Sequence, residues 1–442
     1  MTSVRRLAAP IVLPCDSACT VLRDGVVDVG ADGRIVHVGP EATAPPVEHT
    51  TRLPGILLPG LVNAHAHTAM TVLRGLGGDL PLLRWLTEVM WPAEALLDAD
   101  DVHVGTLAGC VEMLTAGITT SVEMYFFTDA VTSAVLEAGS RAVVTPGIIA
   151  APGWDRLGTW QQMVADISRR IDADGLRCGP GERIELGYGP HAAYTLPPEA
   201  LVETGAAARE RGALLHTHVA ESAGEDTAIR AEHGSVPLLL ERLGVLGDGA
   251  RVLAAHAVHL SAEDIAVLAR HGTGVAHCPA SNAKLASGTA PLLALRAAGV
   301  AVGLGTDGPA SHDDLDLWTD VRLAAQLARL GAADAAALTA AEVLLLATRG
   351  GAAAIGRSDL GELRAGTWAD LVHVDADGGA FAAGLDAGDG QLLANLVWGG
   401  GSRAVRDVWV AGERVVDAGE PTLVDRGAVR AALRGTARRL AH

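Results

Sequence analysis

The chain has 442 residues, of which 49% are hydrophobic and 19% are charged, so it can bury a large core and is not expected to be disordered. Its formal net charge of −18 argues against binding to a nucleic-acid backbone, which requires many lysine and arginine contacts. The same charge favours a small-molecule substrate.

The cysteines indicate the compartment. The five cysteines are scattered, odd in number and without a CxxC pair. This spacing argues against a disulfide framework and against a thiolate zinc cage, so a reducing cytoplasm is the expected location. No apolar stretch is long and uninterrupted enough for a transmembrane helix, and no membrane association is expected.

The two ends of the chain are rich in strand patterns. "TVLRDGVVDVGADGRIVHVG" alternates apolar and polar residues around Asp24-Gly25 and Asp32-Gly33. Near the other end, "AVRDVWVAGERVVDAG" has the same character. Together these patterns predict a small β-sandwich domain formed by residues 1–56 and 357–442.

The middle of the chain, residues 57–356, alternates short apolar strands with longer helical patterns. This alternation predicts an α/β fold with a (β/α)₈ barrel of the TIM type. A doubly wound sheet is the alternative, but no GxGxxG follows the first strand and no phosphate loop is present. The eight strand candidates are "GLVNAHAHT", "TTSVEMYFF", "AVVTPGII", "IELGYGPHAAY", "LLHTHVAE", "RVLAAHAVHL", "GVAHCPASN" and "VAVGLGTDG".

Polar residues gather where these strands end. In a (β/α)₈ barrel the carboxyl ends of the strands form the mouth of the active site, whereas mid-strand residues fill the core. The strand-end positions hold His65, His67, Glu123, His191, His218, Glu221, His256, His277 and Asp307. We therefore expect these side chains to lie near one another.

Two histidines at alternate positions of one strand indicate a metal site. His65 and His67 point to the same face, so both can bind one ion, and His218 and Asp307 could complete the set. Any one of these residues alone could be an ordinary hydrogen-bonded side chain. Three imidazoles and a carboxylate at compatible strand ends predict one divalent metal ion, Zn²⁺ or alternatively Fe²⁺.

The remaining polar residues suggest how water would be activated. A bound metal ion would lower the pKa of water from ~16 to roughly 7. Glu221 could take the proton from this water and pass it to a ring nitrogen or a leaving amine, and His256 and Asp307 could orient or deprotonate the same water. Lys284 follows the seventh strand rather than the fourth, so a second metal bridged by lysine is not expected.

Several stretches together resemble the amidohydrolase superfamily: "PGLVNAHAHTAM", "GPHAAYT", "LLHTHVAES", "AAHAVHLS", "AHCPASNAKLASG" and "GLGTDGPAS". The stretches "LPLLRWLTEVMWPAEALL" and "EMYFF" resemble the branch that holds 5'-methylthioadenosine/S-adenosylhomocysteine deaminases and triazine hydrolases. The resemblance covers almost the whole chain. It implies metal binding by His65, His67, His218 and Asp307, with Glu221 as proton shuttle and His256 assisting the water.

The resemblance also implies substrate contacts. His191 would hydrogen-bond a purine nitrogen, and Glu94, nine residues after Trp85, would hold the ribose hydroxyls. An ionised carboxylate can accept from two adjacent hydroxyl groups, which suits this role. Trp85 is assigned to the same substrate-binding region.

Some positions depart from the family pattern. Pro146 stands where the S-adenosylhomocysteine enzymes can carry an arginine, and Arg156 is a nearby substitute. "TDGPASHDD" is expected to bring His312 and Asp313 near the mouth, and Glu123 stands where an aspartate is common. These departures predict that the adenine chemistry is kept while the 5'-substituent differs.

Three functions remain open at this point. The first is a hydrolytic deaminase of methylthioadenosine, S-adenosylhomocysteine, 5'-deoxyadenosine, adenosine or aminodeoxyfutalosine. The second is a deaminase or dechlorinase of a free heterocycle such as guanine, cytosine or an s-triazine. The third is a non-catalytic scaffold on the same fold. A homodimer or homotetramer is expected from apolar helices.

Overall fold

The computed structural model describes residues 4–247 and 249–440. Its strands are β1 (Arg5–Val12), β2 (Leu22–Val29), β3 (Ile35–Pro40), β4 (His49–Arg52), β5 (Ile56–Pro59), β6 (Leu61–Ala66), β7 (Ile118–Glu123), β8 (Arg141–Val144), β9 (Gly147–Ile148), β10 (Arg177–Cys178), β11 (Ile184–Leu186), β12 (Gly189–Pro190), β13 (Leu214–Val219), β14 (Arg251–His256), β15 (Gly274–His277), β16 (Val302–Leu304), β17 (Leu371–Val374), β18 (Val405–Val410), β19 (Glu413–Asp417) and β20 (Glu420–Pro421).

The helices alternate with the central strands. They are α1 (Leu82–Trp85), α2 (Trp91–Glu94), α3 (Ala99–Thr115), α4 (Thr128–Ala138), α5 (Trp160–Asp174), α6 (Pro198–Glu210), α7 (Ala223–His233), α8 (Val236–Arg242), α9 (Ala262–Arg270), α10 (Pro279–Lys284), α11 (Leu292–Ala297), α12 (Leu317–Ala332), α13 (Ala340–Leu345), α14 (Gly351–Ala354), α15 (Asp389–Ala394) and α16 (Arg426–Leu440). No helix among the described residues is both long and apolar enough to cross a membrane.

Both ends of the chain contribute to one nine-stranded sheet. Its order is β20-β19-β18-β17-β5-β1-β2-β3, with β4 beside β1. The two ends meet where β5 runs antiparallel to β17. Alternating apolar residues of this sheet form a separate buried cluster that includes Leu7, Val27, Leu57 and Leu371. Strands of both termini thus belong to one sheet, whereas a separate β-sandwich domain and its boundaries at 56 and 357 stay predictions.

The central strands form parallel sheets, so the predicted α/β class is confirmed. Strands β6, β7, β8 and β11 lie side by side in one sheet, and β13, β14, β15 and β16 form another. Each of the eight predicted strand segments overlaps an observed strand. Isolated parallel bridges join the two sheets at Tyr188–Leu215, Ala192–His218 and Ala66–Asp307.

Apolar side chains fill the space between the central sheets. Because alternate residues of a strand face the same side, one set from each strand packs inward. The inward set includes Val62, Val122, Val143, Leu214, Leu253 and Ala276. The polar residues that follow these positions lie at the carboxyl edge, above this apolar layer.

The approach of β16 to β6 depends on glycine. A Cβ atom on Gly305 would lie 2.9 Å from the Cβ of His65, a contact that real Cβ atoms do not make. The missing side chain lets the segment after β16 lie directly on β6. Asp307 then donates its backbone N–H to the carbonyl of His65 at 3.0 Å. The fold thereby brings together residues that are more than 200 positions apart in sequence.

Candidate active site

Four side chains that were expected to share one metal ion lie together at the carboxyl edge of the central strands. The Nε2 atoms of His65 and His67 each lie 3.3 Å from Oδ1 of Asp307. The Nε2 atom of His218 lies 3.3 Å from Nε2 of His67. The convergence expected from the strand-end positions is therefore observed.

The hydrogen bonds of His67 and His218 define their tautomers. Nδ1 of His67 lies 2.6 Å from the carbonyl oxygen of Met124, and Nδ1 of His218 lies 2.7 Å from that of His191. Since a carbonyl oxygen only accepts, each Nδ1 must carry the proton. Both Nε2 atoms are then lone-pair donors that face each other.

A chain of hydrogen bonds gives His65 the same tautomer. The hydroxyl of Thr145 donates to the carbonyl of Glu123 at 3.0 Å, so it can accept from Nδ1 of His216, also at 3.0 Å. Nε2 of His216 then accepts from Nδ1 of His65 at 2.8 Å. Nε2 of His65 is buried and has no hydrogen bond within the described part of the chain. His216 thus orients His65.

This donor set fits a divalent cation. Three imidazole lone pairs and a carboxylate oxygen face one another with no protonated group between them, and such acceptors repel unless a cation lies among them. Burial lowers the pKa of His65 to about 3, so this imidazole is neutral and available as a ligand. Nitrogen and oxygen donors in this combination suit Zn²⁺.

Two serine hydroxyls orient the carboxylate of Asp307. Its Oδ2 accepts from Ser281 Oγ at 2.6 Å and from Ser311 Oγ at 2.8 Å. Its Oδ1 is left to face the imidazoles. Asp307 also has a φ of +60°, a left-handed conformation that costs energy in a residue other than glycine and that clusters at functional sites.

Glu221 and His256 lie beside the four converging side chains. Nδ1 of His256 donates to Oδ1 of Asn282 at 2.9 Å, so its buried Nε2 carries a lone pair. This Nε2 lies 3.9 Å from Oε2 of Glu221. Burial raises the pKa of Glu221 well above its ordinary value, and the nearby charge of Asp307 adds to the shift. A carboxyl group with a raised pKa suits proton transfer.

A cavity adjoins these groups. Its polar lining includes His67, His191, His218, Glu221, His256 and Asp307. Trp85 and Glu94 also line it, and both lie on the helical segment formed by α1, the π-helical turn Leu86–Met90 and α2. Three expected substrate-binding residues, Trp85, Glu94 and His191, therefore border one cavity with the converging histidines.

Glu94 is a buried carboxyl group in the wall of this cavity. Its Oε1 accepts from the hydroxyl of Tyr125 at 2.9 Å. Burial raises the pKa of Glu94 to about 7, against the opposing effects of Tyr125 and Arg156. Tyr125 itself lines the cavity. A cavity-facing carboxylate with a tyrosine partner can accept hydrogen bonds from further hydroxyl groups.

Arg156 and Pro146 do not line the cavity. The guanidinium of Arg156 donates to the carbonyl of Glu94 at 2.8 Å and to that of Leu97 at 3.3 Å. Arg156 therefore supports the end of α2, and its direct binding of substrate stays a prediction. Pro146 lines a neighbouring pocket, which Phe127 also borders.

Three other strand-end or loop residues do not line the cavity. Glu123 accepts from the backbone N–H of Thr68 at 2.7 Å and from its hydroxyl, which ties down the turn after His67. Asp313 pairs with Lys284 at 2.8 Å. His277 faces a separate pocket between α11 and α12. None of these three side chains borders the described cavity.

His312 is buried in an ion pair away from the cavity lining. Its Nε2 lies 2.8 Å from Asp320, and its Nδ1 lies 3.0 Å from Asp314. Burial by itself would lower the pKa of His312, but the two carboxylates outweigh burial and raise this pKa to about 10. The imidazolium therefore links the loop after Asp307 to α12.

We expect His312→Gln to destabilise the protein in a pH-dependent way. A histidine whose pKa rises on folding contributes stability below its unfolded pKa, 6.5, and loses it as the pH rises through about 10. The free energy of unfolding, measured in urea, should fall by about 3 kcal/mol at pH 6 and by less at pH 10. His103→Gln, which breaks an exposed pair with Glu137, is the matched control. An equal loss at both pH values would contradict the ion pair.

Sequence reasoning missed the residues that orient the converging side chains. Ser281 and Asn282 lie in "AHCPASNAKLASG", and Ser311 lies in "GLGTDGPAS"; both stretches carry the family resemblance, but it implies no role for these three residues. Tyr125 was likewise unassigned. Serine and asparagine are common in turns and at helix starts, which leaves no local signal for their contacts with Asp307 and His256.

The chain is similar to known proteins over most of its length. Residues 56–415 match the amidohydrolase family. A 5-methylthioadenosine/S-adenosylhomocysteine deaminase of Pelotomaculum thermopropionicum is 41% identical over 369 residues, which cover 82% of this chain and 83% of the relative.

Two solved structures extend this similarity. An adenosine deaminase from Xanthomonas campestris with bound zinc has a TM-score of 0.91 and 36% identity, covering 99% of this chain and 98% of its own. An atrazine chlorohydrolase from Arthrobacter aurescens TC1 complexed with zinc has a TM-score of 0.88 and 27% identity, covering 98% of this chain and 100% of its own. The family match spans most of the chain and includes every converging side chain, so this protein is a member of the amidohydrolase family.

Proposed function

We propose that this protein is a metal-dependent hydrolytic deaminase of a 5'-modified adenosine, which it converts to the inosine analogue and ammonia. The observation that carries the proposal is the set of three imidazole lone pairs and one carboxylate beside Glu221, in a cavity that also holds Glu94. Two relatives are named as a 5-methylthioadenosine/S-adenosylhomocysteine deaminase and an adenosine deaminase, and these names support the same reaction class.

One divalent metal ion, Zn²⁺ in preference to Fe²⁺, would be held by His65, His67, His218 and Asp307. The zinc in the related adenosine deaminase supports this choice of metal. Bound at such a site, the ion supplies Lewis acidity, which makes water a stronger acid and a better nucleophile near neutral pH. Since none of the four donors is missing, a non-catalytic scaffold is not supported.

Side chains of this protein would carry out the proton transfers. Water adds to C6 of the adenine ring while Glu221 takes a proton from it and delivers a proton to N1. His256, whose Nε2 lone pair is held in place by Asn282, accepts a hydrogen bond from the same water. Asp307 helps to orient and deprotonate it. The C6–N bond then breaks, and ammonia leaves with the second proton.

The substrate would be positioned by the cavity wall. His191, whose ring centroid lies 4.7 Å from that of His218, would hydrogen-bond a purine nitrogen. Glu94 would accept from the two ribose hydroxyls, and Trp85 would pack beside the nucleoside. Arg156 acts on this region through the Glu94 carbonyl, which supports a role in keeping the ribose-binding carboxylate in place.

Glu94→Gln should separate a nucleoside substrate from a free heterocycle. If Glu94 binds the ribose, the substitution lowers kcat/KM for 5'-methylthioadenosine by about 100-fold, because a neutral amide accepts from the diol less strongly and also presents donors to it. Ammonia release from the nucleoside and from guanine, cytosine and an s-triazine provides the measurement. Glu88→Gln, on the exposed face of the same helical segment, is the matched control.

The second candidate function is the deamination or dechlorination of a free heterocycle at the same site. The similarity to an atrazine chlorohydrolase favours keeping it as the alternative. A free heterocycle does not reach a ribose-binding carboxylate. Turnover of a free base that is unaffected by Glu94→Gln, with no turnover of any nucleoside, would therefore replace the first function with the second.

We also propose how the chain is divided into a barrel and a second domain. We take residues 57–356 as one closed (β/α)₈ barrel and residues 1–56 with 357–442 as its β-sandwich domain. The bridges at Tyr188–Leu215 and Ala66–Asp307, on the two sides where the central sheets meet, support closure. The cysteines of the described residues are free thiols, which fits the expected cytoplasmic location. A dimer or tetramer stays a prediction.

A further inference from the structure

Part of the cavity wall is apolar and aromatic. We call Trp91, Phe126, Ile149 and Trp154 the distal wall. These four residues line the cavity, and they pack together in one apolar cluster. The rings of Phe126 and Trp154 are stacked with their centroids 4.3 Å apart.

The distal wall adjoins the Glu94 carboxyl group. Trp91 and Glu94 are the first and last residues of α2. Tyr125, which donates to Glu94, has its ring centroid 5.5 Å from that of Phe126. If Glu94 holds the ribose hydroxyls, the group attached at the ribose 5' carbon is within reach of this wall, because only one carbon separates it from the ribose ring.

This part of the cavity offers no cation. None of the described residues that line the cavity is a lysine or an arginine. The guanidinium of Arg156 lies 5.9 Å from the Trp154 ring centroid, and it is engaged with the carbonyls of Glu94 and Leu97. A charged group placed against the distal wall would therefore lose water without gaining an ionic partner.

Phe126, one of the residues of the distal wall, also borders a second pocket that contains two arginines. Phe126 and Gly147 border both the cavity and a neighbouring pocket that contains Arg169 and Arg170. A Cβ atom on Gly147 would lie 2.9 Å from the Phe126 ring, so the ring packs directly on the glycine backbone. Both arginines are paired with carboxylates, Arg170 with Asp166 at 2.9 Å and Arg169 with the same aspartate at 2.8 Å.

We propose that the distal wall binds the 5'-substituent of the substrate and selects an uncharged, apolar group, such as an alkylthio group, over one that carries an amino-acid ammonium and carboxylate. This inference rests on the proposed function and specifies the substrate class. Thioether sulfur and methyl groups make favourable contacts with aromatic rings. An unpaired ammonium and carboxylate at the same place would be costly to bury.

The test compares four adenosines with zinc-loaded enzyme: adenosine, 5'-methylthioadenosine, 5'-butylthioadenosine and S-adenosylhomocysteine. The butylthio compound matches the homocysteine chain in length but not in charge. We expect kcat/KM for the butylthio compound to stay within about tenfold of the methylthio value, and kcat/KM for S-adenosylhomocysteine to be at least about 100-fold lower. Equal kcat/KM values for the butylthio compound and S-adenosylhomocysteine would overturn the inference and leave the proposed function intact. No turnover of any of the four would overturn both.

Substitutions at two residues test which side chains cause this selectivity. Trp154→Ala should lower kcat/KM for 5'-methylthioadenosine at least about tenfold more than for adenosine, mainly through KM, and Trp154→Phe should restore most of the loss. Equal losses for both substrates would overturn the role of the wall. Arg156→Met should change all four kcat/KM values by a similar factor, because Arg156 contacts the backbone carbonyls of Glu94 and Leu97. A loss confined to S-adenosylhomocysteine would show that Arg156 binds its carboxylate and would overturn the inference.

Discussion

Glu221→Gln is expected to lower kcat by about 10³-fold while the zinc content per chain stays unchanged. The amide cannot take a proton from water or pass one to N1, so the step that depends on Glu221 is lost. The carboxyl group lies close to the converging side chains without being one of them, with its Oε2 3.9 Å from Nε2 of His256. Steady-state ammonia release and elemental analysis of the same preparation measure the two effects.

Glu225→Gln is the matched control for this experiment. Its Oε2 accepts from the backbone N–H of Glu221 at 2.8 Å, and an amide oxygen can accept the same bond. We therefore expect a loss of kcat of only about tenfold or less. A Glu221→Gln enzyme that keeps most of its kcat would rule out Glu221 as the proton shuttle. A variant that has lost its zinc would assign Glu221 to metal binding instead.

Asp307→Asn is expected to lower both the affinity for zinc and the rate of deamination, the latter by at least about 10⁴-fold. Oδ1 of Asp307 is the atom within 3.3 Å of two imidazole nitrogens, His65 Nε2 and His67 Nε2. An amide removes the negative charge that offsets the cation and can also direct N–H donors at those lone pairs. Zinc affinity is measured by competition with a chelator, independently of activity.

Ser311→Ala is the graded control for Asp307. It removes one hydroxyl that donates to Oδ2 at 2.8 Å and leaves Oδ1 and the second donor, Ser281, in place. Loss of such an orienting contact typically lowers metal affinity or activity by about 10–100-fold. Full zinc affinity in Asp307→Asn would mean that this carboxylate is not a ligand. An equal effect of both substitutions would mean that orientation rather than charge matters.

The meeting of His65, His67, His218 and Asp307 could be anticipated because the fold rule is strong. Parallel strands of alternating strand–helix units present their carboxyl ends at one edge, so polar residues at those ends share a location whatever their distance in sequence. The same rule does not bring the side chains of His277 and Glu123 into the cavity. They also lie at strand ends, but one faces the pocket between α11 and α12 and the other binds the turn at Thr68. The position of a residue in its strand predicts that it lies at the carboxyl edge of the sheet. The direction of its side chain decides which residues it contacts there.

Several contacts that orient side chains of the site could not be anticipated. Asn282 orients His256 and Tyr125 contacts Glu94, each through a single hydrogen bond between different strand–helix units. Nothing in the local pattern around these residues distinguishes them from ordinary turn or core residues. His312 shows the converse, since a polar residue expected near the mouth is buried against Asp320.

The amino-acid sequence alone determined the class of the fold, the sheet formed by both termini and the chemical nature of the donor set, because periodicity and residue type are local properties of the chain. Only the tertiary structure decided which nitrogen of each imidazole faces the shared centre, that Arg156 contacts the carbonyls of Glu94 and Leu97, and that an aromatic wall adjoins Glu94. These features depend on hydrogen bonds and packing between residues that are distant in sequence, and folding creates those contacts.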